Sequence, residues 1–394
     1  MRKRICFIVD SIFSIGGVQR VTAVIAKELS KDHDVTIVTY DNPASQNTTL
    51  YGLSETSITY HFFSYPSINK LKRQISKVYS GFYRKMRPQG GIASNLYARS
   101  SFPSELRHAL IQELRQGQYD TIIGVHAPLA ARLATLQPHL KGARCIGWIH
   151  NSYDALFSPS STYIGPQLEY HYAHQMRKLD RVVVLCQYDA QKWNDAYNHL
   201  GLSFQNIIVI HNPLTLIPGQ PSHGTSKRFL AVGRMSHLHK GFDLLIDAFH
   251  IFTKTNKDWM LDIVGEGPEE QMLRKKIDEY GLQQRVYIHP FTSNIQEYYS
   301  HAQVYVLSSR WEGFGLVLVE AMAHGLPVVS SNLPTSREIM GDSALYFDVG
   351  NVGQLAQQLQ EATQIDWSTK STEAIKIARH FELSNIVCQW NDLI

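Results

Sequence analysis

The sequence of 394 residues contains only four cysteines, Cys6, Cys145, Cys186 and Cys388, far apart and with no CxxC pair among them. Such spacing speaks against a disulfide framework and a zinc knuckle, and suits small buried hydrophobes in a reducing, cytoplasmic compartment. No apolar run reaches the roughly 20 residues that a membrane-spanning helix needs. The opening stretch MRKRICFIVDSIF has the basic tip of a signal peptide, yet Asp10 cuts the apolar run and no small-residue cleavage site follows. It is expected to be a first β-strand. Two phosphate-binding signatures are also missing, the P-loop GxxxxGK[ST] and the dinucleotide GxGxxG. The stretch GEGPEE starts at Gly265 like the second, but Glu270 stands where its third glycine belongs. Metal-ligand spacing is absent too: His171 and His174 in YHYAH have no third ligand nearby, and DHD at 32–34 precedes an apolar strand instead of following one. No metal and no cofactor are expected.

One further absence is local. Residues 56 to 104 carry no acidic residue, while Lys70, Lys72, Arg73, Lys77, Arg84, Lys85, Arg87 and Arg99 fall within them. In INKLKRQISKVYSGFYRKMR, residues 68–87, Leu71, Ile75, Val78 and Phe82 recur at helical spacing between the charges. A basic amphipathic helix of this kind suits peripheral contact with an anionic membrane, on the inner face of the cell membrane. The alternative is a surface helix whose apolar side packs on its own domain. Nucleic acid is not expected, because no binding motif accompanies the patch and the whole chain carries only +4.

What is present is a long alternation of short apolar runs with helical patterns. ICFIVD, DVTIVTY, TIIGVH, RCIGWIH, RVVVLCQ and IIVIHN precede a break; RFLAVG, WMLDIVG, RVYIHP, QVYVLSS, LPVVSSN and ALYFDV follow it. Continuous β-branched runs are expected of strands covered on both faces, and their alternation with helices indicates doubly wound parallel sheets of an α/β protein. The break is rich in Pro, Gly and Ser. It implies a first Rossmann-like domain over 1–213, a linker over 214–226, a second over 227–375, and carboxyl-terminal helices over 376–394, with a cleft between the domains. Ligands of such sheets bind where strands run into loops at their carboxyl ends.

The polar motifs fall at those places. In RWEGFGLVLVEAMAHG, Glu312 sits in a loop, and Glu320 sits in the helix that follows, inside the apolar run from Leu316 to Met322. A carboxylate there costs free energy unless something hydrogen-bonds it. Gly313, Phe314 and Gly315 form the loop, and the free N–H groups near Gly315 and Leu316 make a phosphate site at a helix start. Ionised carboxylates only accept hydrogen bonds and sugar hydroxyls donate them, so one carboxylate suits a ribose diol and the other a hexose. In LAVGRMSHLHKG, Gly233 precedes Arg234 and Gly241 follows Lys240, two cations suited to a diphosphate. Gly16-Gly17 form a glycine loop after the first strand. His150 ends the strand GWIH, where it can meet a hydroxyl or a developing charge. Taken singly, each motif also has a structural reading: a capping Glu312, a Glu320 paired with an arginine, surface cations, a satisfied loop histidine.

In this order and at these separations, EGFGLVLVE, VGRMSHLHKG, LDIVGEGP and SIGGVQR resemble the motifs of the retaining, metal-independent glycosyltransferases of family four, which have the two-domain GT-B fold. The resemblance covers almost the whole chain, and it implies that the carboxyl-terminal helices over 376–394 cross back onto the first domain. It implies that Glu320 binds the ribose and Glu312 the donor hexose. Arg234 and Lys240 would hold the diphosphate with Gly233, Gly265 and the Gly313–Leu316 segment. Gly16 and Gly17 would lie between donor and acceptor, and His150 beside the reacting sugar. It further implies transfer from a nucleotide diphosphate sugar, a UDP-hexose, to a saccharide or glycolipid acceptor such as a lipid-linked oligosaccharide or lipopolysaccharide core. In that picture the acceptor hydroxyl attacks from the face that the diphosphate leaves. A nucleotide-sugar epimerase, a phosphorolytic enzyme, and a non-catalytic partner subunit of the same fold are the alternatives.

Overall fold

A computed structural model describes every residue of the chain except 160, 162, 203, 204, 237 and 238. The chain divides into two compact units, Met1–Asn212 together with Ile386–Ile394, and Pro213–Asn385. No helix among the described residues is long and apolar enough to cross a membrane.

In the first unit the strands are β1 (Arg4–Val9), β2 (Asp34–Thr39), β3 (Thr59–Phe62), β4 (Thr121–Val125), β5 (Arg144–Trp148), β6 (Arg181–Val184) and β7 (Ile207–Val209). Among the described residues they form a seven-stranded sheet in the order β3-β2-β1-β4-β5-β6-β7, each neighbouring pair parallel. Helices α1 (Gly17–Leu29), α2 (Lys70–Met86), α3 (Gly91–Ser101), α4 (Ser104–Gln116), α5 (Ala127–Leu136), α6 (Tyr153–Phe157), α7 (Glu169–Met176) and α8 (Gln187–His199) lie between them. The runs that read as doubly covered strands are so: Ile5, Cys6, Phe7, Ile122, Ile123, Cys145 and Ile146 have no exposed surface. Cys186 is buried as well, whereas Cys388 is exposed, and none of the four forms a disulfide.

The second unit repeats the plan with β8 (Arg228–Val232), β9 (Met260–Val264), β10 (Val286–His289), β11 (Val304–Leu307), β12 (Val328–Ser331) and β13 (Leu345–Phe347). Its described strands pair in parallel in the order β10-β9-β8-β11-β12-β13. Around them run α9 (Phe242–Phe252), α10 (Glu270–Glu279), α11 (Ile295–His301), α12 (Leu316–Ala323), α13 (Pro334–Met340), α14 (Val352–Ala362) and α15 (Trp367–Ala378). In each sheet the order reverses beside its first strand, β1 or β8, and there loops on the carboxyl edge diverge to leave room for a ligand.

Two boundaries differ from the sequence-based expectation. The segment 214–226 has no helix or strand, but it belongs to the second unit and is tied down there: Ser222 N–H donates to the His324 carbonyl at 3.0 Å, and Gly219 N–H to His324 Nε2 at 3.0 Å. Residues 376–385 also stay with the second unit, where the Phe381 carbonyl accepts from Leu214 N–H at 2.7 Å and its ring meets Phe314 edge-on. Only Ile386–Ile394, the greater part of α16 (Leu383–Leu393), belong to the first unit. Trp390 fastens them, fully buried with its ring 4.7 Å from that of Trp148 at 63°. Lys3 Nζ and Arg144 donate to the terminal carbonyls of Ile394 and Leu393.

Trp390→Ala removes a buried indole from the first unit, so urea unfolding is expected to give a stability loss of about 3–5 kcal/mol.

Candidate active site

In the second unit, β8, β9 and β11 are neighbours, so the loops after them meet on one edge. They meet backbone to backbone. A side chain at Gly265, which has φ +150°, would place its Cβ 2.0 Å from the Gly233 carbonyl oxygen. One at Gly241, with φ +63°, would lie as close to the Ser308 carbonyl. Only glycine permits both approaches. Ser308 Oγ then donates to the Lys240 carbonyl at 2.8 Å, and Arg310 N–H to the His239 carbonyl at 2.8 Å. The Arg310 guanidinium grips Asp243, in the first turn of α9, through two bonds of 2.9 and 2.8 Å. His239 lies flat on Trp311 and donates from Nε2 to its carbonyl at 2.6 Å. Residues 237 and 238, within the expected phosphate loop, lie outside the described residues.

These braces bring together two groups that sequence reasoning assigned to separate tasks. Lys240 Nζ donates to Glu312 Oε1 at 2.6 Å, and Ser309 Oγ donates to the same oxygen at 2.6 Å. Glu312 is buried. Burial by itself would raise its pKa, but the charges of Lys240 and His239 and the bonds from Lys240 and Ser309 outweigh it and hold the carboxyl below its usual range. Arg234, on the same loop, is exposed, and among the described residues no carboxylate lies within 4 Å of its guanidinium. One loop thus carries an exposed guanidinium and a neutralised ammonium.

Gly315, with φ +86°, forms the N-cap of α12, and no side chain caps the helix. Leu318 N–H turns back to the Gly315 carbonyl at 2.8 Å, so the N–H groups of Leu316 and Val317 are left to a ligand or water. Gly313 and Phe314 precede it, Phe314 buried. Glu320 lies one turn further on and keeps only 2 % of its surface exposed. Tyr299 OH donates to its Oε2 at 2.9 Å, and Tyr299 stacks on His324, whose Nδ1–H donates to the Glu320 carbonyl at 2.7 Å.

In the first unit, Gly16 caps α1, which starts at Gly17. The Tyr51 hydroxyl accepts from Gly16 N–H at 3.1 Å and donates to the Ser14 carbonyl at 3.0 Å, which holds this loop. His150 follows β5 and is buried, its ring 4.4 Å from that of Trp148 and 5.5 Å from that of His126. Burial, then the charge of His126, pushes its pKa well down, so the imidazole is neutral. His126 follows β4 on the same edge.

Sequence reasoning missed Tyr299, Ser309, His239 and His126. The first three have no signature of their own, because each matters only through a partner brought in by the fold. His126 stood in plain view at a strand's carboxyl end, in TIIGVH. Among the described residues no group of three or more His, Cys, Asp or Glu side chains is arranged to hold a metal ion.

Comparison with known proteins places these features in context. The family profile described as Glycosyltransferase Family 4 matches residues 15–216, and that of Glycosyl transferases group 1 matches residues 215–381. An uncharacterized glycosyltransferase of Haemophilus influenzae is 29 % identical over 334 residues, 84 % of this chain and 81 % of its own length. A lipopolysaccharide 1,6-galactosyltransferase of Salmonella typhimurium is 32 % identical over 139 residues, 34 % of this chain and 38 % of that protein. The crystal structure of Anabaena Alr3699/HepE with UDP and glucose superposes with a TM-score of 0.74 at 19 % identity, over 100 % of this chain and 99 % of that one. The likeness establishes the fold as GT-B.

Lys240→Met leaves the Glu312 carboxylate buried without its cation. Unfolding at pH 7 is expected to show a loss of about 3–5 kcal/mol. The sign of the pH dependence follows from the lowered pKa: the pair stabilises above the ordinary carboxyl pKa and loses that contribution as pH falls through the folded value. The gap between variant and wild type therefore narrows in acid, and a gap independent of pH would rule out an ionised Glu312.

Proposed function

Because this chain belongs to glycosyltransferase family 4, we propose that it moves a hexose from a UDP-hexose to a saccharide acceptor, with retained anomeric configuration and without a metal ion. That the chain is a glycosyltransferase follows from the family. The donor, the acceptor and the stereochemistry are the proposal. The observation that carries it is the pairing of Lys240 with Glu312 beside the exposed Arg234.

A diphosphate arriving at this edge meets the Arg234 guanidinium first, which can bind it bidentately. It then competes with Glu312 for Lys240. A carboxylate released from Lys240 accepts hydrogen bonds from sugar hydroxyls, so one exchange converts an internal ion pair into contacts with phosphate and hexose. The amides at the start of α12 add their dipole. Glu320, oriented by Tyr299, accepts from the ribose diol. His150, held neutral, offers a hydrogen bond near the reacting sugar. The acceptor oxygen bonds to the anomeric carbon on the face where the bond to the diphosphate breaks, and a leaving phosphate oxygen takes the acceptor proton. The two cations stabilise that leaving charge, commonly the largest single catalytic effect.

The acceptor is proposed to be a lipid-linked oligosaccharide or lipopolysaccharide core met at a membrane surface. The name of the Salmonella relative supports this, and so does α2. That helix packs through Tyr79, Ser80 and Tyr83 against α3, with the Tyr83 and Tyr97 rings 4.5 Å apart. Leu71, Ile75, Val78, Phe82 and Met86 face away and are 55–74 % exposed, so the apolar side does not pack on its own domain as the alternative required. An exposed apolar ridge flanked by Lys and Arg suits the interface of an anionic bilayer.

Two measurements bear on these readings. Protein incubated with UDP-glucose, UDP-galactose, UDP-GlcNAc or GDP-mannose in EDTA is expected to bind and slowly hydrolyse one UDP-hexose, an activity lost in Glu320→Ala. Arg234→Ala should lower the rate about 10²–10³-fold; failure of the UDP-linked donors to bind removes the UDP-hexose reading. In sedimentation, vesicles with phosphatidylglycerol should retain the protein and phosphatidylcholine vesicles should not. Replacing Leu71, Ile75 and Val78 by serine should release it, and equal retention of that variant would exclude α2 as the contact.

A further inference from the structure

Between the last residue of β4, Val125, and the first of α5, Ala127, the chain turns on one residue, His126. Its backbone stands at φ 74°, ψ 151°, where a side chain is strained and glycine is usual. The turn is sharp because α5 folds directly back over β4. A Cβ at Gly124 would lie 3.0 Å from the Ala130 backbone, and Ala130 N–H donates to the His126 carbonyl at 2.9 Å. On the other side His126 N–H donates to the Trp148 carbonyl of β5 at 2.8 Å. A strained strand-to-helix elbow is a known device for thrusting one side chain out at the carboxyl edge of a sheet. Nothing in the turn itself requires imidazole. Glycine would make it without strain, so what the ring adds lies in what it touches.

It touches His150. The two rings are 5.5 Å apart at 62°, and on its other side His150 has the Trp148 ring at 4.4 Å. Nε2 of His150 is buried and has no hydrogen-bond partner in the structure, an unmet capacity that costs stability unless a ligand uses it. Burial lowers the His126 pKa, and the Asp10 carboxylate, which follows β1, and the Asn151 side chain act against that shift. Three adjacent strand ends, those of β1, β4 and β5, thus converge on one imidazole pair.

We propose that His126 is a positioning residue of the active centre: its strained elbow sets the ring edge-on against His150 and so fixes the direction in which His150 Nε2 meets the substrate. The proposal rests on the reading of His150 as a substrate contact, and its test separates the two. Three variants are informative. His126→Gly removes the ring and relaxes the turn, His126→Ala removes the ring and keeps the strain, and His126→Asn keeps a polar side chain that tolerates positive φ.

In thermal unfolding His126→Gly is expected to melt above His126→Ala, the reverse of the usual order for these residues. In UDP release from UDP-glucose and UDP-galactose, kcat should fall about tenfold to a hundredfold in the Gly and Ala variants, with KM for the donor nearly unchanged, and His126→Asn should recover part of it. Nitrogen-15 spectra of histidine-labelled protein without substrate should show the His150 ring signals displaced in His126→Gly. Unchanged His150 signals in that variant, or full kcat in it, would overturn the proposal. Displaced signals together with full activity of His150→Ala would leave the positioning intact and remove His150 from the reaction instead.

Discussion

An ammonium and a carboxylate, Lys240 and Glu312, meet at 2.6 Å where little water reaches them, and much of the second unit's loop structure serves to keep them there. Either charge alone would be costly at that depth, because the loss of hydration is repaid only by a close partner and further hydrogen bonds. Hence the braces around the pair: Ser309 on the same carboxylate oxygen, Arg310 on Asp243, His239 flat on Trp311, and glycines where two loop backbones touch. The parallel sheet makes this possible. Because β8 and β11 are adjacent, residues distant in sequence leave the sheet side by side on one edge.

The same pair gives the proposed chemistry its logic. A cation already matched by an internal anion is not an open trap for any phosphate. A ligand must offer negative charge to Lys240 and hydroxyl donors to Glu312 at once, which a nucleotide diphosphate sugar does and inorganic phosphate does not. In the proposed chemistry Arg234, exposed on the same loop, supplies the first attraction, and the start of α12, which no side chain caps, supplies amides. The edge of the first sheet is built on the opposite plan. There His150 is neutral and packed between the rings of Trp148 and His126, the latter on a strained turn, an arrangement that in the proposed chemistry lends direction more than charge.

The amino-acid sequence by itself determined the sheets and the edge on which the site stands. Continuous β-branched runs can only be strands covered on both faces, and glycines after those runs mark places where backbones come close or helices start. These are properties of short segments, so two doubly wound parallel sheets and the positions of Arg234, Lys240, Glu312 and Glu320 on strand-end loops and a helix were legible without coordinates, and the resemblance of the motifs to family four supplied the GT-B architecture. The amphipathic pattern of residues 70–86 was legible too, but not whether its apolar side was covered, because that depends on what packs against it. Only the tertiary structure decided that Leu71 and Val78 face outward while Tyr79 and Tyr83 face in. It also decided that Lys240 belongs to Glu312, that Tyr299 holds Glu320, that 376–385 stay with the second unit, and that His126 bends under strain toward His150. Each of these joins residues remote in the chain, and strand order, which no local pattern encodes, sets which of them meet.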